Sequence, residues 1–132
     1  MQRITPYLLY EDVAGALNWL AQAFGFREYG TRVSGPDGQV THAAMELDDS
    51  IIMLGWPGPD YQNPKRLGAV TQSLYVRVED VEKHFAQARE AGARILQAPE
   101  DMFYGDRRYG AADPEGHHWY FAQQVRDVSA EE

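Results

Sequence analysis

The 132-residue sequence contains no cysteine, and that absence removes several chemistries at once. A disulfide framework, a thiol nucleophile and a thiolate-ligated zinc or iron–sulfur site are all excluded. Basic residues are also scarce: 12 Lys and Arg stand against 20 Asp and Glu, a formal net charge of −8 at pH 7. Binding to a phosphate backbone needs a basic face that this balance does not supply. The acidic residues are dispersed over turns (Asp48, Asp49, Asp60, Glu100, Asp101) and the end of the chain (Glu131, Glu132), which reads as a solubility feature. Long apolar runs are missing too. No stretch approaches the roughly eighteen residues of a membrane-spanning helix, and Met1 to Tyr10 has one charge, an early proline and no signal-peptide core. The expectation is a cytoplasmic protein without nucleic-acid or membrane partners, one domain long and large enough to bury a core without staples.

What is present is a pattern stated twice. In Ser73 to Gly92, Leu74, Val76 and Val78 alternate with Tyr75 and Arg77, the period of two of a strand with one face on a core. Asp80 follows as a helix N-cap, its carboxylate placed to accept from the free N–H groups of the first turn. Val81, Phe85 and Ala88 then make one apolar helix face, and Gly92 closes it. Near the N-terminus the order recurs: a strand over Ile4 to Tyr10, Asp12 as N-cap, Val13, Ala16, Leu17, Leu20 and Phe24 as the buried stripe, Gly25 as the stop. Tyr10-Glu11-Asp12-Val13 matches Val78-Glu79-Asp80-Val81. A repeat of about half the chain predicts two copies of one supersecondary unit sharing a core.

Arg27 to Ser34 predicts a further strand, turned by Gly35-Pro36-Asp37-Gly38 onto Gln39 to Leu47, and Ser50 to Gly55 a short central one. Trp56 to Ala69, rich in proline and glycine and without periodicity, reads as a linker. The second half predicts strands at Arg94 to Ala98, Asp106 to Ala112 and His118 to Gln124, with a loop around Pro99 to Gly105 and a turn at Asp113-Pro114-Glu115-Gly116. The expected organisation is a single domain: module one 1–56, linker 57–70, module two 71–125 and a polar tail 126–132. Its class is α+β, two tandem βαβββ modules forming an eight-stranded, curved mixed sheet with helices on the outer face. The other face must curl round a cavity or meet a partner.

The paired strand–Asp-cap–helix units, the segment His42-Ala43-Ala44-Met45-Glu46-Leu47 followed by Asp49-Ser50-Ile51-Ile52-Met53-Leu54-Gly55, and the terminal Asp113-Pro114-Glu115-Gly116-His117-His118-Trp119 together resemble the vicinal oxygen chelate superfamily. That superfamily holds glyoxalases, extradiol dioxygenases, fosfomycin-modifying enzymes and bleomycin-resistance proteins. The resemblance implies sheets around a ligand pocket, commonly completed in a homodimer. Metal-using members place His, Gln or Glu in the first and last strand of each module, where a divalent cation chelates two neighbouring substrate oxygens. Here those positions fall at or beside Thr5, at Ser73, and near Met53 and Tyr120, none of them a good ligand. The resemblance is therefore to the metal-free bleomycin-resistance branch. It implies a small-molecule-binding protein without a cofactor that sequesters an aromatic or antibiotic-like ligand. The alternative is a metal-dependent lyase, isomerase or dioxygenase using a shifted set such as His42, Glu46 and His118.

Strand parity selects the candidate residues. Tyr7, Tyr75 and Tyr120 share the face of Thr5 and Ser73, whereas Leu8, Leu74, Val76, Trp119 and Phe121 face the helices. Trp56, Tyr61, Phe103, Tyr104 and Tyr109 fall in or beside loops, where large aromatics cover a pocket or a subunit interface. Parity sends at most one of Arg107 and Arg108 inward to grip a carboxylate or stack on a flat ring, a salt bridge to Asp101, Asp106 or Asp113 being the simpler alternative. His42 and Glu46 share a face but lie about 13 Å apart, His117 and His118 point to opposite faces, and His84 reads as solvent-exposed on its helix. The candidate ligand-binding set is Tyr7, His42, Met53, Trp56, Ser73, Tyr75, Tyr104, Arg107, Tyr109, His118 and Tyr120, with no residue given a catalytic role.

Overall fold

A computed structural model describes residues 2–128 of the chain. In chain order its elements are β1 (Tyr7–Leu9), α1 (Val13–Phe24), β2 (Arg27–Ser34), β3 (Val40–Leu47), β4 (Ser50–Gly55), α2 (Pro64–Leu67), β5 (Ser73–Arg77), α3 (Val81–Glu90), β6 (Arg94–Asp101), β7 (Asp106–Ala112) and β8 (His118–Gln124). Both aspartates cap as their positions require. Asp12 Oδ1 accepts from the Gly15 N–H at 2.9 Å, and Asp80 Oδ1 from the Lys83 N–H at 3.1 Å. The linker contributes one helical turn of its own, opened by the Asn63 side chain and closed by Gly68 in the left-handed conformation.

The strands form two four-stranded sheets, ordered β1-β4-β3-β2 and β5-β8-β7-β6, rather than one continuous sheet of eight. In each, the first and last strands of the module run parallel and the other neighbours antiparallel. The strand expected over Ile4 to Tyr10 contracts to three residues because Pro6 has no N–H to give to a ladder. Instead of pairing, β1 and β5, each the edge of its sheet, line opposite walls of a cleft of about 250 Å³ between Tyr7 and Ser73. At the other end β6 runs on to Asp101, three residues past the expected stop.

One core serves both modules. The helix-facing row of the first sheet (Leu8, Ala43, Met45, Leu54) and that of the second (Tyr109, Ala111, Trp119, Phe121) are buried with the inner faces of α1 and α3. Phe24, the last residue of α1, crosses between modules: its ring lies 5.4 Å from Trp119 and 4.6 Å from Phe121. The two copies of the repeat therefore cannot pack their apolar faces independently.

His84 departs from the sequence expectation. It sits on the inward side of α3, its ring 4.2 Å from that of Phe121 and hydrogen-bonded to the Phe24 carbonyl at 2.9 Å and to the Tyr109 hydroxyl. The carbonyl can only accept, so Nε2 carries the proton and Nδ1 receives the phenol. Burial depresses the imidazole pKa below the ordinary 6.5, the backbone bond opposing it weakly. A group depressed in the folded state binds fewer protons than in the unfolded chain. Its contribution to stability is therefore complete above about pH 6.5 and lost progressively as the pH falls through the depressed value. Thermal unfolding between pH 7.5 and 5 should show a steeper acid decline for the wild type than for His84→Gln; parallel curves would contradict this account.

Candidate functional site

The faces turned away from the core carry side chains in matched rows. On the first sheet, Tyr7, Met53, Ala44 and Tyr29 form one row, and Leu9, Gly55 and His42 the next. On the second, Tyr75 pairs with Tyr120 and Tyr120 with Gly110; Ser73 pairs with His118 and His118 with Ala112; Arg77 pairs with Ala122 and Ala122 with Arg108. Tyr7, Tyr29 and Tyr75 are each about half exposed, at 49 %, 52 % and 46 %. This is an unusual surface for a solvated sheet face.

Both sheets use the same packing device. Tyr7 of β1 lies across Gly55 of β4, where an added Cβ would come within 2.5 Å of the ring, and Tyr120 of β8 lies across Gly110 of β7, where it would come within 2.6 Å. Neither glycine has a positive φ, so space rather than backbone freedom demands the residue. The covering rings are held from above: the Tyr7 hydroxyl bonds His42 Nδ1 at 2.8 Å, and the Arg108 guanidinium stacks 4.8 Å from the Tyr120 centroid. Gly110→Ala should push the Tyr120 ring off its strand and lower stability by about 1–2 kcal/mol, as overpacking does. A wild-type near-ultraviolet circular dichroism spectrum and unchanged melting would refute the packing argument.

Around Arg108 the second sheet gathers its polar groups. Arg108 donates from Nε to Gln97 at 3.1 Å and from Nη1 to the Tyr104 hydroxyl at 3.2 Å. Tyr104 in turn meets the Tyr75 hydroxyl, which donates to the buried Asp106 carboxylate at 2.6 Å. Burial first, and then the bond to Asp106, hold the Tyr75 phenol well above its usual range, so that it remains a donor. Among the described residues Arg108 makes no ion pair: Asp106 is taken by Tyr75 and approached by Arg77 at 3.9 Å, and Glu100, opposite Arg108 on β6, accepts from the Gln97 amide at 2.7 Å.

The open faces therefore collect Tyr7, His42, Met53, Ser73, Tyr75, Tyr104, His118 and Tyr120 from the expected set, but three of its members lie elsewhere. Arg107 is on the helix side, where it bonds Glu82 of α3 and Asp101; its neighbour Arg108 is the inward arginine. Tyr109 is fully buried in the core beside Phe121. Trp56 packs against the same core, because it follows open-face Gly55 by one residue. Gln97, Gly55 and Gly110 were not anticipated, although a glycine inside a strand is itself a signal of close approach; Asp106, expected only as an ion-pair partner for Arg107 or Arg108, accepts from Tyr75 instead.

The turn Asp113-Pro114-Glu115-Gly116 does more than close a hairpin. Asp113 accepts from the Tyr10 hydroxyl at 2.7 Å, the Trp119 indole at 3.1 Å and the N–H groups of Glu115 and His117. Glu115 accepts from the N–H groups of Glu11 and Asp12 and from the Asn63 amide. Two buried carboxylates thus tie the last hairpin to the start of α1 and to the linker. Burial, reinforced by the Asp113 charge, raises the Tyr10 pKa far above the phenol range, keeping its proton on the bond to Asp113.

The family model for the glyoxalase/bleomycin resistance protein/dioxygenase superfamily matches residues 3–121. The chain belongs to that superfamily. A protein of Mycobacterium bovis described as uncharacterised is 37 % identical over 98 % of this chain and 88 % of its own length. Among solved structures of this superfamily fold, TioX from Micromonospora sp. ML1 superposes with a TM-score of 0.77 at 32 % identity, over 95 % of this chain and all of that one. The bleomycin-binding protein, solved in complex with bleomycin, shares the fold at a TM-score of 0.70 and 19 % identity over 93 % and 98 % of the two chains. At the positions where metal-using members of the superfamily are expected to hold their ion, this chain offers Thr5, Met53, Ser73 and Tyr120, a donor set that does not suit a divalent cation. The shifted set does not fit either. His42 Nδ1 is bonded to the Tyr7 hydroxyl and Glu46 is paired with Arg27, and among the described residues no three His, Asp or Glu side chains converge.

Proposed function

We propose that the chain binds a small, flat molecule bearing an acidic group on the open face of its second sheet, without a metal and without chemistry, as a cytoplasmic homodimer whose second copy covers that face. The observation that carries the reading is Arg108: a guanidinium with no carboxylate partner among the described residues, fixed by Gln97, Tyr104 and the Tyr120 ring, and facing outward. Such a group is ready to accept a planar anion, and the rings of Tyr75, Tyr104 and Tyr120 offer stacking beside it. Covering by a second copy is supported by half-exposed Tyr75 on that face and by half-exposed Tyr7 and Tyr29 with exposed Leu9 and Val33 on the open face of the first sheet, the surface a second copy would bring against it. That a protein of the same fold was solved with bleomycin bound supports sequestration as the role.

Two measurements test this. Sedimentation velocity should give twice the chain mass of 15.0 kDa, and a thermal-shift panel of planar aromatic acids and their neutral counterparts should return stabilisation by acids. If no compound raises the melting temperature, or if elemental analysis of untagged protein finds about one transition metal per chain, the reading is wrong.

A further inference from the structure

The second sheet ends in a groove that the open-face site does not use. It has a volume of about 680 Å³ and runs between the linker after α2 and the β7–β8 turn, within the size range of small-molecule sites. Trp19 of α1, Val70 of the linker and Pro114 of the turn give it apolar walls. Lys65, Arg94 and His118 line it as well, and none of their side chains has a hydrogen-bonding or ionic partner among the described residues. The one carboxylate in the lining, Asp113, has both oxygens occupied by the four donors described above. In a chain with net charge −8, Lys65 and Arg94 lining one groove, with no unoccupied carboxylate beside them, make it a place where an anion is favoured.

The groove is also preformed. The Lys65 N–H donates to the Glu115 carbonyl at 3.0 Å, and a Cβ on Gly116 would come within 2.6 Å of the Lys65 nitrogen, so linker and turn are pressed together. Little ordering is left for a ligand to impose.

We propose that this groove is a second, separate binding site for a small aromatic anion, its ring against Trp19 and its acidic group between Lys65 and Arg94, with His118 at the margin nearest the open face. Arg108 lies four residues along β7 from Ala112 in the lining, about 13 Å by strand rise. One small ligand therefore does not span both sites.

The indole N–H signals of 15N-labelled protein provide the test, with the Trp19 signal assigned by Trp19→Phe and 2-naphthoate as the probe. The Trp19 signal should shift saturably on titration, at least tenfold more weakly for neutral 2-naphthylmethanol and for Lys65→Gln/Arg94→Gln, and unchanged in Arg108→Ala. Lys65 and Arg94 are exposed, so the double variant keeps the fold, which its spectrum verifies. A Trp19 signal that stays in place at millimolar probe, or equal affinities for acid, alcohol and double variant, overturns the proposal. Loss of the Trp19 titration in Arg108→Ala would also overturn it by reducing the two sites to one. The open-face reading fails on a different result, the absence of any Arg108-dependent binding.

Discussion

Asp113→Ala is expected to cost about 3–5 kcal/mol of stability, because four neutral donors lose their acceptor at about 1–3 kcal/mol each and rehydration recovers part of that loss. For a domain of this length that lowers the melting temperature by on the order of 10 °C or more. Asp113 is 5 % exposed, and its removal strands a buried phenol, a buried indole N–H and two turn amides. Among the described residues no buried side-chain polar atom lacks a partner, so the fold has no slack in which to absorb these four. Asp113→Asn separates charge from geometry. Its carbonyl oxygen can serve one pair of donors, but its amide then meets the other; the Tyr10 hydroxyl can turn to accept, whereas the indole N–H cannot. An intermediate loss is expected for Asn. Thermal denaturation followed by circular dichroism decides the matter: a melting temperature within a few degrees of wild type for Asp113→Ala would mean that the turn does not tie the modules together.

Arg108→Ala should weaken binding of the best planar acid from the thermal-shift panel by 10- to 100-fold, about 1.5–3 kcal/mol for a charge-assisted hydrogen bond removed with its stacked plane. Arg108→Lys should recover little, since an ammonium keeps the charge but neither the fork nor the flat face over Tyr120. Arg107→Ala is the matched control. The neighbouring arginine, equal in charge, spends its guanidinium on Glu82 and Asp101 at the helix-side rim, and its loss should leave affinity near wild type. Titration calorimetry on the three variants gives the answer. Equal losses for Arg107 and Arg108 would reduce the effect to net charge, and a loss confined to Arg107 would put the ligand on the other side of the sheet.

Much of this arrangement was written in local sequence. Asp12, Asp80 and Gly25 set helix ends through hydrogen bonds that reach no more than a few residues, and the alternation around Tyr7, Tyr75 and Tyr120 set which faces these rings occupy. The choice between Arg107 and Arg108 was legible too. The Asp113–Gly116 turn pairs Ala112 with His118, and counting back two by two brings Gly110 to Tyr120 and Arg108 to Ala122, which puts Tyr109 in the core. Trp56 follows by the same count from Gly55.

The sequence by itself determined the superfamily, the doubled module, the helix caps and the parity of the open faces, because these depend on interactions between residues adjacent in the chain or repeated at fixed spacing. Only the tertiary structure decided that the strands divide into two sheets, that His84 is lodged against Phe24 and Phe121, that Asp113 and Glu115 are anchors, and that Arg108 stands without an acid partner. Each of these rests on partners dozens of residues away, Tyr10 for Asp113 and Phe24 for His84. No local period records such meetings; they exist only once the two modules have packed around a common core.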